Sequence, residues 1–209
     1  AATAWRPGDG GNRDEALDLS KSYLVAGRTV LEKRLENGAR GSALVAGYTF
    51  LIDRILAVLY DHAAERLFTE PNPTSGNRLA FVAVGGYGRA ELSPYSDIDL
   101  LFLHPWKLTA RSEQIIEYVL YMLWDMGLMV GHATRSTADC LARARNDMTI
   151  RTSIIESRYL CGDKALFSEL RQRFWDEIVP GSEGDFVAAK LSERDARHQR
   201  TGDSRYMLE

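Results

Sequence analysis

Two aspartates separated by one residue, Asp97 and Asp99, stand at the head of an apolar run, SDIDLLFL, from Ser96 to Leu103. Side chains alternate along a strand, so the two carboxylates share one face while Ile98 and Leu100 take the other. Carboxylates that close repel, and each raises the pKa of the other unless a cation lies between them. A hard divalent ion such as Mg²⁺ resolves the conflict, held by one or two carboxylates together with substrate phosphates. Just upstream, Gly85, Gly86 and Gly88 let the backbone turn sharply and approach a ligand closely. Their amides can face phosphate oxygens, and Arg89 can add a charge-assisted contact to a triphosphate.

Neither half of this arrangement is specific alone. A lone Asp-x-Asp is often a solvated strand edge, and a lone Gly-Gly is usually a turn. Other phosphate motifs fit worse: no GxxxxGK[ST] string occurs, and the GxGxxG pattern fails where Gly86-Tyr87-Gly88-Arg89-Ala90 is followed by Glu91. The conjunction is more specific: an apolar strand, Gly-Gly, a short polar connector, then Asp-x-Asp opening a second apolar strand. It resembles the pattern of polymerase-β-like nucleotidyltransferases, which implies an α+β fold with a short mixed sheet flanked by helices.

The elements that must position these residues are legible in outline. Apolar spacing predicts helices from Asp14 to about Asn37 and from Ser42 to about Phe68, and EPNPTSGN (Glu70 to Asn77) reads as a loop. LAFVAVGG (Leu79 to Gly86) suits a buried strand ended by glycines, and Ser96 to Leu103 a second. Ser112 to Met126 reads as a helix stopped by Gly127, followed by a third strand in LMVGHATR (Leu128 to Arg135). Thr137 is placed to cap a helix to about Asn146, and Asp147 the next, through Leu160. Two more helices fit Lys164 to Ile178 and Asp185 to about Arg200. The expected organisation is a disordered stretch over 1–13, N-terminal helices over 14–77, a nucleotidyltransferase core over 78–136 and a helical extension over 137–209.

Bulk properties bound the function. The 209 residues carry a formal charge of −3 and 45% apolar residues. That suits a globular protein with an ample core and gives no general affinity for nucleic acid. No run approaches the roughly 20 apolar residues of a membrane span; the longest, Tyr118 to Val130, is interrupted by Asp125, so no membrane association is expected. Residues 1–13 lack the apolar stretch of a secretory signal. Cys140 and Cys161 belong to no CxxC pair, which favours two reduced thiols in a cytoplasmic protein over zinc or a disulfide.

The longer string GGYGRAELSPYSDIDLLFL (Gly85 to Leu103) is similar to the bacterial protein-PII uridylyltransferase family, the bifunctional uridylyltransferase/uridylyl-removing enzymes, in its N-terminal nucleotidyltransferase region. That family usually has Gly where this chain has Ala90. Further matches follow in LWDMGLMVGHATRS (Leu123 to Ser136), DMTIRTSIIESRYLCGD (Asp147 to Asp163) and GDSRYMLE (Gly202 to Glu209), so that the resemblance covers roughly residues 15–209. It implies that a metal-dependent HD phosphohydrolase domain and two glutamine-sensing ACT domains would lie beyond Glu209. The Asp61-His62 pair is not that HD motif and reads as surface polar.

The resemblance further implies transfer of UMP from UTP to a tyrosine hydroxyl of the signalling protein PII, releasing pyrophosphate, with Mg²⁺ or Mn²⁺. Asp97 and Asp99 would hold one ion on the triphosphate and help hold a second near the attacking oxygen. Gly85 and Gly86 would position the triphosphate, with Arg89 and Ser96 as further phosphate contacts. Such folds often place a third carboxylate on the following strand, but here that strand offers His132 and no acid. His132, as base or phosphate ligand, and Glu156 are the substitutes to weigh, against a plain strand histidine and a salt bridge with a nearby arginine. Arg135 is a further nucleotide contact to test. Two other functions stay open: a nucleotidyltransferase with a different acceptor, or a non-catalytic nucleotide-sensing domain, against which the intact Asp97 and Asp99 argue.

Overall fold

In the computed structural model, which describes residues 13–201, the two apolar runs become neighbouring antiparallel strands, β1 (Ala80–Ala83) and β2 (Ile98–His104). β2 pairs in parallel with β3 (Val130–Ser136), and β1 pairs antiparallel with β4 (Arg158–Gly162). The result is a mixed four-stranded sheet in the order β3-β2-β1-β4. All of β1 is buried, as is all of β2 except the half-buried Asp99. Helices cover both faces, so these strands read as continuous apolar runs and not as alternating ones.

One face carries Phe81, Ala83, Ile98, Leu100 and Phe102 against the helices α1 (Arg13–Glu36), α2 (Gly41–His62) and α4 (Ala110–Asp125). The other carries Ala80, Val82, Leu101 and Leu103 against α5 (Thr137–Asn146), α6 (Met148–Ile155) and α7 (Lys164–Glu177). A last helix, α8 (Glu183–Thr201), follows. Between β1 and β2 the glycines form a single helical turn, α3 (Gly85–Gly88). The stretch read as disordered and the GDSRYMLE segment lie outside the described residues, apart from Arg13, which opens α1.

Several local expectations need correction. The helix expected from Asp147 to Leu160 starts as foreseen, with Asp147 accepting from the Thr149 and Ile150 amides at 2.8 and 3.2 Å, but it ends at Ile155. RYLCG then becomes β4, because the unpaired edge of β1 offers it a ladder of hydrogen bonds, and tertiary pairing overrides local helical preference. The sheet therefore draws on residues well past 136. α5 is capped by Ser136, not Thr137, in a capping box with Asp139. His62 is buried and pairs through Nδ1 with the Tyr118 hydroxyl at 2.9 Å, so it is not surface polar.

One helix corrects the expectation that no apolar run nears membrane-spanning length. α2 continues through a π-helical turn (Ala63–Leu67), and Gly41–Leu67 holds an 18-residue window of mean hydropathy 1.6, long and apolar enough to cross a membrane by length and composition. Here Leu51, Ile52, Ile55, Leu56 and Leu59 face the core, each contributing about 1.5–3 kcal/mol on burial. The same helix carries Asp53, ion-paired to Arg158 of β4. Both cysteines are buried and free, and burial pushes the Cys140 thiol up to about 12, which keeps it protonated.

Candidate active site

β1 runs directly into the glycine turn, and β2 begins beside it, where the Val84 amide donates to the Asp99 carbonyl at 3.1 Å. Gly85 has φ +60, in the left-handed region that favours glycine. A methyl group built on it would lie 3.1 Å from Asp99 Oδ2. On the other side, Gly131 of β3 is the register partner of Asp99, and a methyl group there would lie 2.6 Å from Asp99 Oδ1. The Asp99 carboxylate thus sits in a slot that only two side-chain-free positions leave open. Asp97, exposed, immediately precedes β2.

Burial first, and the charge of Asp97 second, push the Asp99 carboxyl above the usual carboxylate range. No hydrogen bond or ion pair relieves either carboxylate among the described residues. Nor is there among them a group of three or more His, Cys, Asp or Glu able to hold a metal. Two crowded acidic groups without protein partners nonetheless fit a hard divalent cation that takes its remaining ligands from water and phosphate. Leading amides of a helical turn such as α3 lack intrahelical acceptors, which leaves them for a ligand.

Asp99 faces the side of the sheet opposite Ile98 and Leu100. Gly131, Ala133 and Arg135 share that side through the parallel register. A cleft of about 260 Å³ opens there, with Asp99, Leu101, Gly131 and Arg135 on one wall and Thr149, Ile150 and Ser153 of α6 on the other. A larger cavity of about 460 Å³ lies at the far end of the sheet, around Tyr60, Arg78 and Arg111. Its one aspartate, Asp163, is ion-paired with Arg78 at 2.7 Å, so the smaller cleft is the one with chemistry at its mouth.

The remaining candidates fall out unevenly. Ser96 is exposed in the turn before Asp97, its hydroxyl donating to the Ser93 carbonyl at 2.8 Å. Arg89 donates to Glu91 at 2.8 Å and pairs with Glu156 at 3.0 Å, so Glu156 takes its salt-bridge reading. His132 projects to the opposite face from Asp99, its ring 6.0 Å from Phe102 and 6.3 Å from Trp124, which removes it as a substitute for the third carboxylate. Ala90 adopts φ +60, a conformation glycine enters without a Cβ penalty, which gives a physical reason for Gly at that position.

Sequence reading missed Gly131 and the α6 wall, because both join the site through pairing distant in sequence. It also missed Asp53, although an aspartate in the middle of an apolar helix was a signal for a buried polar contact.

Residues 69–160 match the nucleotidyltransferase domain family. The chain is 52% identical over 200 residues to the bifunctional uridylyltransferase/uridylyl-removing enzyme of Phenylobacterium zucineum, covering 94% of this chain and 21% of that protein. It is 50% identical over 198 residues to the protein of the same name from Rhodospirillum rubrum, and 50% identical over 200 residues to that of Caulobacter vibrioides, again covering 94% of this chain and 21% of each relative. The chain thus spans about a fifth of the length of these curated relatives. It contains a nucleotidyltransferase domain and is homologous, over nearly all its own length, to one region of the bifunctional uridylyltransferase/uridylyl-removing enzymes.

Proposed function

We propose that this chain catalyses metal-dependent transfer of UMP from UTP to a tyrosine hydroxyl of the PII signalling protein in the cytoplasm. The tyrosine oxygen forms a bond to the α-phosphorus, the bond from that phosphorus to the bridging oxygen breaks, pyrophosphate leaves, and the phenolic proton goes to solvent. The observation that carries nucleotidyl transfer is the Asp99 carboxylate, seated between Gly85 and Gly131 beside Asp97 at the mouth of the cleft. The uridylyl group rests on the names of the relatives, and PII on the resemblance of Gly85 to Leu103 and the segments that follow.

In this reading Asp97 and Asp99 hold Mg²⁺ or Mn²⁺, which would neutralise charge on the triphosphate and favour the phenolate of an acceptor whose unperturbed pKa is about 10. The amides of Gly85 and Gly86 orient the phosphates at the start of the turn. Ser96 holds the connector that delivers Asp97, and Arg89 reaches a phosphate by exchanging Glu91 or Glu156 for it. The cleft takes the nucleoside between the apolar surface of Leu101 and Ala133 and the hydroxyl-bearing wall of Thr149 and Ser153, with Arg135 at its edge.

The test is transfer of labelled nucleotide to PII with UTP, ATP, CTP and GTP compared. Label from UTP is expected on a single tyrosine, in a reaction that needs Mg²⁺ or Mn²⁺. Equal use of all four nucleotides would remove the uridylyl reading, and label on a small molecule but not on PII would replace the acceptor.

A further inference from the structure

Behind the glycine turn lies a charged cluster that takes no part in the chemistry above. Asp53, in the middle of α2, accepts a hydrogen bond from the Tyr87 hydroxyl at 2.7 Å. Its two carboxylate oxygens also accept from Arg158 Nη1 and Nη2 at 2.7 and 3.1 Å. Arg158 Nη2 donates in addition to the carbonyl oxygen of Tyr87 at 3.1 Å, and the guanidinium lies over the Tyr87 ring, 5.3 Å from its centroid. Tyr87 is 1% exposed and sits inside the turn, between Gly86 and Gly88. The same segment that supplies Arg158 closes on the turn once more: a methyl group on Gly88 would lie 2.4 Å from the Glu156 carbonyl oxygen. The turn is therefore held by the side chain and the carbonyl of Tyr87 and by backbone packing at Gly88.

Stability alone is a poor reason for this cluster. The Asp53 and Arg158 side chains keep 27% and 29% of their surface exposed, and an ion pair that water still reaches adds little to stability. Arg158 Nε is moreover buried with no hydrogen-bond partner, an added cost. What the pair provides, and an apolar plug does not, is a directional grip on one carbonyl and one hydroxyl of the turn. We propose that Asp53 and Arg158 are positioning residues that set the Gly85–Gly88 turn against the Asp99 carboxylate and so fix where the phosphates of a nucleoside triphosphate sit. This rests on the nucleotidyl-transfer reading of the site.

The experiment uses the intact protein and three variants: Tyr87→Phe, Arg158→Lys, and the double variant Asp53→Leu/Arg158→Met. Melting temperature, affinity for UTP and for UMP in Mg²⁺, and the single-turnover transfer rate are measured for each. Supporting residues of this kind typically contribute roughly 10–100-fold. Arg158→Lys and the double variant are therefore expected to lose UTP affinity and transfer rate in that range, with UMP affinity changed much less. Tyr87→Phe loses less, because it keeps the ring and the carbonyl contact. The double variant removes both charges together and leaves only the Tyr87 hydroxyl without its acceptor, so it is expected to lower the melting temperature by no more than a few degrees, and transfer measured well below that temperature separates positioning from mere stabilisation. A folded double variant, or a folded Tyr87→Phe and Arg158→Lys pair, within about twofold of the parent in UTP affinity and transfer overturns the proposal alone. A parent that binds no UTP overturns the nucleotidyl-transfer reading, and this inference with it.

Discussion

At the end of β1 away from the glycine turn, Asp163 accepts Arg78 Nε at 2.7 Å, caps α7 by accepting the Leu166 amide at 2.8 Å, and is tied by its own amide to the Leu79 carbonyl at 2.8 Å. At the near end, Asp99 has its carboxylate wedged between two glycine positions with Asp97 beside it, and no cationic side chain among the described residues pairs with either charge. The hydrogen bond from Arg78, first among its causes, holds the Asp163 carboxyl below its usual range; burial and Asp97 hold that of Asp99 above it. One sheet thus carries a carboxylate whose needs the fold meets and a pair whose needs it leaves open. The difference teaches where the fold does structural work and where it leaves charge unanswered, which is where the proposed function places its cation.

The largest effects should come from the open end. Asp97→Asn and Asp99→Asn are each expected to lower transfer of labelled UMP to PII by about 10³-fold, the scale of losing a group that stabilises charge in the transition state. Circular dichroism should show an unchanged fold; near-normal transfer in either variant would undo the assignment. Gly131→Ala comes next, because its methyl group would meet Asp99 Oδ1 at 2.6 Å and displace that carboxylate. A misplacement of about 1 Å in a reacting group costs about 10²-fold. Full activity in Gly131→Ala would mean that the carboxylate is not held where catalysis needs it.

The ease of reading the two ends from sequence differs for a physical reason. Asp97, Asp99 and the glycine turn lie within one 19-residue string, Gly85 to Leu103, and each takes its geometry from its neighbours: alternation along β2, a sharp turn at the glycines. The apolar runs of β1 and β2 announce buried strands in the same way. β4 could not be read so, because RYLCG becomes a strand only when the edge of β1, far away in sequence, is there to pair with it. The Asp53–Arg158 ion pair spans 105 positions, and His62 meets Tyr118 across 56. The histidine on β3 read as a possible catalytic group because its residue type was visible; the face it occupies depends on the register with β2, which was not.

The closed end predicts smaller effects, on stability and not on transfer. Asp163→Asn keeps a capping oxygen for α7 but removes the charge facing Arg78. A loss of about 1 kcal/mol at neutral pH is expected, since the pair is well formed but partly solvated. A group whose folded pKa is depressed contributes stability above its unfolded value, lost as pH falls through the folded one. The melting temperatures of parent and variant should therefore converge as pH drops below the ordinary value of 3.8. UTP affinity should not move; a variant that loses it would couple the two ends of the sheet, which the geometry gives no reason to expect.

The smallest effect has the opposite sign. The folded chain holds the Asp99 proton more tightly than the unfolded chain does, so ionising Asp99 costs the fold. The associated stability is fully present below 3.8 and lost as pH rises through the raised folded pKa. Asp99→Asn, which cannot ionise, should therefore melt slightly above the parent at neutral pH. The gap should vanish at low pH, where the parent is also neutral at this position. Adding Mg²⁺ should raise the melting temperature of the parent and not of the variant, because a cation between Asp97 and Asp99 removes the repulsion that the substitution removes by other means. A variant that is less stable than the parent at neutral pH without metal would show that Asp99 is satisfied by the fold after all, and the contrast with Asp163 would fail.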